Sequence, residues 1–284
     1  MNDGTLEVED QAGGESERTM LRDVDKVGID AAELELKLAA SPSLLAAPEP
    51  VQRLVAVSEE HSLAAEKFRM LANRLASMRG THDLRVVHVT SSVVGEGKST
   101  VAANLAVTLA QRPNQRVLLL DGDLHRPVLA TLFGVVPGPG LGEWWDNRPQ
   151  DSLPPLYRIN DWRLWLLPAG SVSRPVDLLL SPRISALLAA FAKVFDWVVV
   201  DSPPLLPLAD AAHWARLADG TLLVVRAGVP PRTAMERGLE SLDRARLIGV
   251  VLNEAPDVER NKYYYQYYGM ESALGTGAKN RKRS

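Results

Sequence analysis

The sequence predicts an α/β fold in which helices cover both faces of a doubly wound, mainly parallel β-sheet. Six short runs rich in Val and Leu alternate along the chain with segments of helical periodicity. Because these runs are continuously apolar, both faces of each strand are expected to be covered. We place the strands at 85–90, 116–120, 163–167, 197–201, 220–226 and 247–252. We place the helices near 98–111, 127–133, 181–194, 208–217 and 231–246.

Length and composition suit one such domain with tails. The chain has 284 residues, of which 46% are hydrophobic and 24% charged, enough to bury a sizeable core. A net charge of −3 gives no indication of a nucleic-acid partner, and the absence of cysteine excludes disulfides and thiolate metal sites. There is no run of about eighteen apolar residues and no apolar core of a secretory signal, so we expect a cytoplasmic protein.

The chain divides into three parts. Residues 1–50 are rich in Asp, Glu, Gly, Ala and Ser, and we expect them to be disordered, with a short helix near 30–38. Residues 51–256 hold the alternating pattern and form the folded domain. Residues 257–284 form a flexible tail with a tyrosine cluster and a basic end.

A helix is predicted over 58–78, at the start of the domain. Its apolar residues recur at helical spacing behind Ser58, which is a suitable N-cap residue. Residues 136–162 are irregular, rich in Pro, Gly and Trp, and receive no assignment.

The first strand runs into a glycine-rich segment that is typical of a phosphate-binding loop, the Walker A motif. Its residues are Ser92, Val93, Val94, Gly95, Glu96, Gly97, Lys98, Ser99 and Thr100. Gly95 and Gly97 let backbone N–H groups turn inward, Lys98 can reach a β- or γ-phosphate, and Ser99 can ligate Mg²⁺. The helix that follows directs its positive N-terminal end at the phosphates. Ser92 stands where the usual pattern has Gly.

Two further strands end in acid. Asp121 and Asp123 close the second strand, and Asp201 closes the strand at 197–201. Ligands of an open parallel sheet lie beyond the carboxyl ends of its strands, and carboxylates there can hold Mg²⁺ together with Ser99. The residues therefore predict a site for a magnesium–nucleotide complex.

The tail carries five of the six tyrosines. From the residues alone, the cluster is either an aromatic patch that docks on a partner or an exposed phosphoacceptor segment. A nucleotide site in the same chain favours phosphorylation, because the phosphoryl donor is already bound. The acceptors would then be Tyr263, Tyr264, Tyr265, Tyr267 and Tyr268.

As a set, these motifs resemble the bacterial tyrosine kinases of the CpsD/CapB type, which accompany polysaccharide export. The resemblance covers about residues 58–268 and includes the run Leu-Asp-Gly-Asp-Leu-His-Arg-Pro at 120–127 and Asp-Ser-Pro-Pro at 201–204. It implies an ATP- and Mg²⁺-dependent tyrosine autokinase that phosphorylates its tail in trans and regulates exopolysaccharide or capsule synthesis and export. The implied catalytic and metal-binding residues are Lys98, Ser99, Asp121, Asp123 and Asp201. The residues do not decide which of Asp121 and Asp123 is the base and which the metal ligand.

The resemblance also implies partners. These are other copies of the chain in a ring-like oligomer, a membrane-embedded polysaccharide co-polymerase that activates the kinase and recruits it to the inner face of the membrane, and a phosphatase. Glu66 and Arg69 match the family's ring-contact motif, although its third position is Ala72 rather than Arg. His125 likewise replaces an Arg of the second acidic motif. Asn253 matches a residue that contacts the nucleotide base, and its alternative role is that of a helix cap or turn residue.

Two alternatives share the fold or the site. A positioning ATPase of the MinD/ParA type would carry a signature Lys five residues before Lys98, where this chain has Val93. A nucleotide-binding scaffold without kinase activity would use the tail to recruit partners. Incorporation of phosphate from ATP into the tail separates the kinase from both.

Overall fold

The computed structural model describes residues 31–49, 54–81, 83–136, 138–147, 153–206 and 209–255. The strands are β1 (Ser43–Leu44), β2 (Val86–Ser91), β3 (Val117–Asp121), β4 (Tyr157–Ile159), β5 (Leu164–Leu167), β6 (Trp197–Asp201), β7 (Gly220–Arg226) and β8 (Leu247–Asn253). The helices are α1 (Ala31–Ala39), α2 (Val55–Ser58), α3 (Leu63–Arg79), α4 (Lys98–Ala110), α5 (Leu129–Phe133), α6 (Leu141–Asn147), α7 (Pro175–Leu180), α8 (Pro182–Val194), α9 (Asp210–Leu217) and α10 (Arg232–Glu240). A 3₁₀ turn at Arg244–Arg246 precedes β8.

The eight strands form one sheet in the order β1-β4-β5-β3-β6-β2-β7-β8. Within the described ranges every pair is parallel except β4 with β5. This confirms the doubly wound, mainly parallel fold and the six predicted strands, whose ends move by at most one residue. The carboxyl ends of β2, β3 and β6 lie side by side, because these three strands are neighbours.

Helix α4 lies at the centre of one layer. It packs against β2, β3 and β6 and against α3, so that nearly all its residues from Ser99 to Leu109 are buried. Small residues, chiefly alanine, dominate α4 and allow this close approach on several sides. The helix that begins in the Walker A loop is therefore held rigidly against the sheet.

The expected disorder of residues 1–50 does not extend over 31–49. Helix α1 forms where a short helix is predicted, with Leu34 and Leu38 one turn apart and buried in the core beside α8. Strand β1 follows and pairs with β4, which lies in the unassigned segment 136–162 together with α6. Helix α1 buries only Leu34 and Leu38, too few apolar residues for the sequence to indicate that it packs on the domain. Its contact with α8 shows that it does.

The helix predicted over 58–78 begins later than expected. The chain forms the short α2, turns, and starts α3 at Leu63, where the side chain of Ser62, not that of Ser58, accepts a hydrogen bond from the N–H of Ala65. The helix predicted at 231–246 is also shorter and ends at Glu240 before the 3₁₀ turn.

In the parts of the chain that the structure describes, no helix is both long and apolar enough to cross a bilayer.

Candidate active site

The Walker A loop connects β2 to α4 and uses two left-handed glycines. Gly95 and Gly97 both have φ of 87°, and Gly97 is the N-cap of α4. A Cβ atom on Gly97 would overlap Nδ2 of Asn253, the end of a side chain that would have to shift, so the left-handed backbone is the stronger reason for glycine at this position. Ser92 does not have a positive φ, which explains why a side chain is tolerated where the usual pattern has Gly.

Glu96 holds the loop in shape, a role that the sequence did not indicate. Its side chain is fully buried, with Oε2 accepting a hydrogen bond from the N–H of Val93 at 2.8 Å and Oε1 one from the N–H of Arg226 at 3.2 Å. The carboxylate therefore ties the loop both to itself and to the end of β7. An acidic residue between two glycines would ordinarily face solvent, so no sequence signal marks this contact.

Asn253 reaches the loop from the end of β8. Its Nδ2 donates to the carbonyl oxygen of Glu96 at 3.0 Å. Its side chain thus braces the Walker A loop rather than capping a helix, and β8 is brought into the wall of the site.

Lys98 begins α4 and points towards the second acidic motif. Its Nζ lies 3.2 Å from Oδ2 of Asp123 and 3.2 Å from Oγ of Ser99, in a largely buried position. Oδ1 of Asp123 accepts a hydrogen bond from the N–H of Arg126 at 3.0 Å. Asp123 is thereby fixed next to the cation that would contact a transferable phosphate.

Asp121 is held differently. Its Oδ2 accepts hydrogen bonds from the N–H groups of Val128 and Leu129, at 3.2 and 3.1 Å, at the start of α5. Asp121 is the register partner of Asp201 on the neighbouring strand β6. Burial raises the pKa of both carboxyls above their ordinary range, the charge of Asp201 adds to the shift at Asp121, and the charge of Lys98 opposes it at Asp201.

These two acids supply the oxygen atoms that a cation would need. Oδ1 of Asp121 and both carboxylate oxygens of Asp201 are buried without a hydrogen-bond partner. Over the described ranges, no group of three or more His, Cys, Asp or Glu side chains is arranged to hold a metal. Mg²⁺ is commonly held by one or two carboxylates and completed by phosphates and water, so Asp201 and Asp121, with the nearby Ser99, fit this ion when a nucleotide is bound.

His125, which stands where the resembled family has Arg, contacts an acidic residue. Its Nε2 lies 2.8 Å from Oδ2 of Asp210, a buried carboxylate in the first turn of α9. The neighbouring Arg126 side chain is exposed. The structure therefore connects the second acidic motif to α9 through His125, a pairing that sequence spacing could not reveal.

The predicted oligomer contacts lie on α3, away from the loop. Arg69 donates from Nε to Glu66 at 2.7 Å and from Nη1 to the carbonyl of Glu60 at 2.8 Å, and both side chains of the pair remain partly exposed. Ala72 is buried against the core, so the third position of the ring-contact motif faces inward here. The five predicted phosphoacceptor tyrosines lie outside the described residues.

Comparison with protein families supports the nucleotide site. A ParA model described as NUBPL iron-transfer P-loop NTPase matches residues 84–206, the segment that runs from β2 past the end of β6. Together with the mainly parallel sheet, this match confirms the P-loop NTPase fold and a nucleotide-binding function.

Curated relatives and a solved structure extend the match. The chain is 30% identical over 221 residues to the tyrosine-protein kinase YwqD of Bacillus subtilis strain 168, a match that spans 77% of this chain and 92% of that protein. It is 35% identical over 223 residues to the succinoglycan biosynthesis transport protein ExoP of Rhizobium meliloti strain 1021, covering 75% of this chain but 28% of ExoP. The crystal structure of the chimerical protein CapA2B2 superposes with a TM-score of 0.65 at 26% identity, over 80% of this chain and 99% of that one.

Proposed function

The chain belongs to the bacterial tyrosine-protein kinases, and from this premise we propose that it transfers the γ-phosphoryl group of ATP to the tyrosines of its own tail. The observation that carries the proposal is the position of Lys98 at the start of α4, 3.2 Å from Asp123 and beside the buried acids Asp121 and Asp201. Phosphoryl transfer requires a cation at the γ-phosphate. It also requires carboxylates that hold the metal ion or accept the proton of the nucleophile. A MinD/ParA-type switch, which shares the fold, is not favoured by these relatives.

The Walker A loop binds the nucleotide. The N–H groups of residues 95–100 and the N-terminal end of α4 surround the phosphates, and Lys98 exchanges its contact with Asp123 for the β- and γ-phosphates. We propose that Asn253, next to the loop at the end of β8, contacts the base. Ser99, Asp201 and Asp121 would hold Mg²⁺, which neutralises charge on the phosphates when bound.

We assign the proton acceptor to Asp123 and the metal side to Asp121 and Asp201. Asp121 uses one carboxylate oxygen for the start of α5 and has the other buried without a hydrogen-bond partner, opposite Asp201 in the strand register, whereas Asp123 lies against Lys98. The tyrosine oxygen attacks the γ-phosphorus, the bond from that phosphorus to the bridging oxygen of ADP breaks, and the phenolic proton passes to Asp123. A phenol of pKa near ~10 loses its proton late, so Lys98 and orientation of the reactants contribute more than base strength.

The acceptors in this proposal are Tyr263, Tyr264, Tyr265, Tyr267 and Tyr268, and the donor chain is a neighbour in a ring-like oligomer. The nine residues between Asn253 and the cluster reach about 30 Å when extended, enough to enter an adjacent site. Each phosphate adds roughly −1.5 to −2 charges, so a modified tail is repelled by the acidic site and the oligomer loosens.

Regulation of exopolysaccharide or capsule synthesis and export is the proposed setting, since ExoP is a succinoglycan biosynthesis transport protein. ExoP is much longer than this chain, which spans 28% of it. We also propose that a separate membrane-embedded polysaccharide co-polymerase activates the kinase and recruits it to the inner face of the membrane. A phosphatase resets the tail.

The test mixes two full-length chains with Mg·ATP and maps phosphate by mass spectrometry. One chain is Lys98→Met, which keeps its tail but lacks the transferring lysine. The other has the five tail tyrosines replaced by Phe and keeps its site. Phosphate on the tail of the Lys98→Met chain is expected. An unmodified Lys98→Met tail would contradict transfer in trans, and phosphate confined to the buried Tyr157 would contradict the tail as acceptor.

A further inference from the structure

A buried histidine lies on β2, the strand that leads into the Walker A loop and lies between β6 and β7. His88 is on β2 and is fully buried among apolar strand residues. Its register partners are Val200 on β6 and Thr221 on β7. A polar ring at such a position costs free energy unless both nitrogens are hydrogen-bonded, so its contacts matter.

Both ring nitrogens have partners, and the partners are two different segments. Nδ1 lies 3.1 Å from Oγ1 of Thr221, and Nε2 lies 2.7 Å from Oγ of Ser202. Burial lowers the pKa of His88 to about 3, so the ring is neutral and carries one proton. A neutral imidazole has one donor and one acceptor, and either tautomer satisfies both hydroxyl groups, which can each donate or accept. The ring thus connects β2, β7 and the end of β6.

Ser202 directly follows Asp201, whose carboxylate lacks hydrogen-bond partners of its own. The N–H of Ser202 donates to the carbonyl of Val89 at 3.1 Å, and its hydroxyl contacts His88. The Ser202 hydroxyl also lies 3.3 Å from the carbonyl oxygen of Val89 and 3.1 Å from that of Pro203. Ser202 is therefore held through its backbone and its side chain, and neither contact reaches the Asp201 carboxylate.

We propose that His88 is a positioning residue for phosphoryl transfer: by holding Ser202, it fixes the direction in which the Asp201 carboxylate faces the metal. The inference rests on the proposed magnesium site. It predicts that loss of the His88–Ser202 contact weakens the contribution of Mg²⁺ to nucleotide binding more than it weakens binding of the nucleotide itself.

The experiment measures ADP binding by calorimetry, once with excess Mg²⁺ and once with a chelator, in His88→Leu, His88→Gln and Ser202→Ala. Leu keeps approximately the volume of the ring and removes both polar contacts, whereas the Gln amide keeps one donor and one acceptor. His88→Leu should reduce the affinity with Mg²⁺ about tenfold and change the affinity in chelator less than about twofold, as expected for the loss of one buried hydrogen bond. His88→Gln should stay closer to wild type.

The matched control is Thr108→Val, which removes another buried hydroxyl, near the carboxyl end of α4, whose partner is the carbonyl of Asn104. Its thermal midpoint should fall, and the ratio of the two affinities should not change. If His88→Leu does not fold, Ser202→Ala decides alone. An unchanged ratio in the folded variants would overturn the inference. If the ADP affinity of the wild type is the same with and without Mg²⁺, the magnesium site on which the inference rests is overturned instead.

Discussion

Asp121 and Asp201 stand opposite each other on the neighbouring parallel strands β3 and β6, and both side chains are buried. Three of their four carboxylate oxygens have no hydrogen-bond partner. Burial raises the pKa of both carboxyls; the charge of Asp201 raises that of Asp121 further, whereas the charge of Lys98 opposes the shift at Asp201. The pair is unfavourable for the ligand-free fold and favourable for a bound cation, which makes it a site where stability and function oppose each other.

Asp201→Asn should therefore stabilise the ligand-free protein and abolish phosphoryl transfer. The neutral amide removes the repulsion with Asp121, so the thermal midpoint without Mg²⁺ should rise by a few degrees, while Mg²⁺ should no longer raise it. Asp161→Asn, at an exposed position, is the control and should leave both quantities unchanged. A thermal midpoint below that of wild type in the absence of metal would contradict the conclusion that the buried Asp201 carboxylate destabilises the ligand-free fold. Scanning calorimetry with and without Mg·ADP provides the measurement.

Lys98→Met should reduce autophosphorylation by at least a hundredfold, because the variant loses a charge that acts on the transferring phosphate, worth about 3 kcal/mol or more. Lys193→Met, an exposed lysine on α8, is the matched control and should retain wild-type rates. The rate of phosphotyrosine formation with Mg·ATP is the quantity to compare. Full activity in Lys98→Met would remove the basis for the Walker A assignment.

The fold was predictable because its signal is repeated. Each central strand is a continuous apolar run, and a parallel sheet buried on both faces requires such runs, so errors of one residue at the ends changed nothing. Helix α1 illustrates what local pattern could not give. Leu34 and Leu38 mark one apolar turn, and only contact with α8 shows that residues 31–49 belong to the domain.

The candidate site was predictable to the extent that strand ends and glycines fix it. Lys98, Asp121, Asp123 and Asp201 were expected at one edge of the sheet, and the strand order places them there. The supporting contacts of Glu96, His88 and His125 could not be predicted, because each joins segments that are distant in sequence. The direction of a side chain at such a position is set by its neighbours in the folded structure, and residue spacing along the chain does not show which residues these are.

The oligomer contact can be tested with the fold preserved. Exchanging Glu66→Arg and Arg69→Glu keeps the ion pair within α3 but reverses the charges that a neighbouring chain would meet. Because an exposed pair of this kind contributes only about 0.2–0.5 kcal/mol, the monomer fold should survive. Light scattering should then report a monomer in place of the proposed ring-like oligomer. A monomeric, unphosphorylated wild type would contradict ring formation, with the buried Ala72 as the first position to examine.

The last prediction concerns acid stability and follows from His88. In the folded chain the pKa of His88 is lowered to about 3, whereas the unfolded chain has the ordinary value of 6.5. Below pH 6.5 the unfolded chain therefore binds a proton at this residue that the folded chain does not. Stability from His88 is complete above pH 6.5 and is lost as the pH falls towards 3, by up to about 1.4 kcal/mol for each pH unit.

His88→Gln cannot titrate. Its free energy of unfolding, measured by urea denaturation between pH 5 and 6.5, should therefore fall less steeply with decreasing pH than that of wild type, and the difference in slope should correspond to about one bound proton. His61→Gln, which replaces an exposed histidine, is the matched control. Parallel slopes for His88→Gln and wild type would mean that the folded chain takes up a proton at His88, which is incompatible with a neutral imidazole linking Ser202 to Thr221.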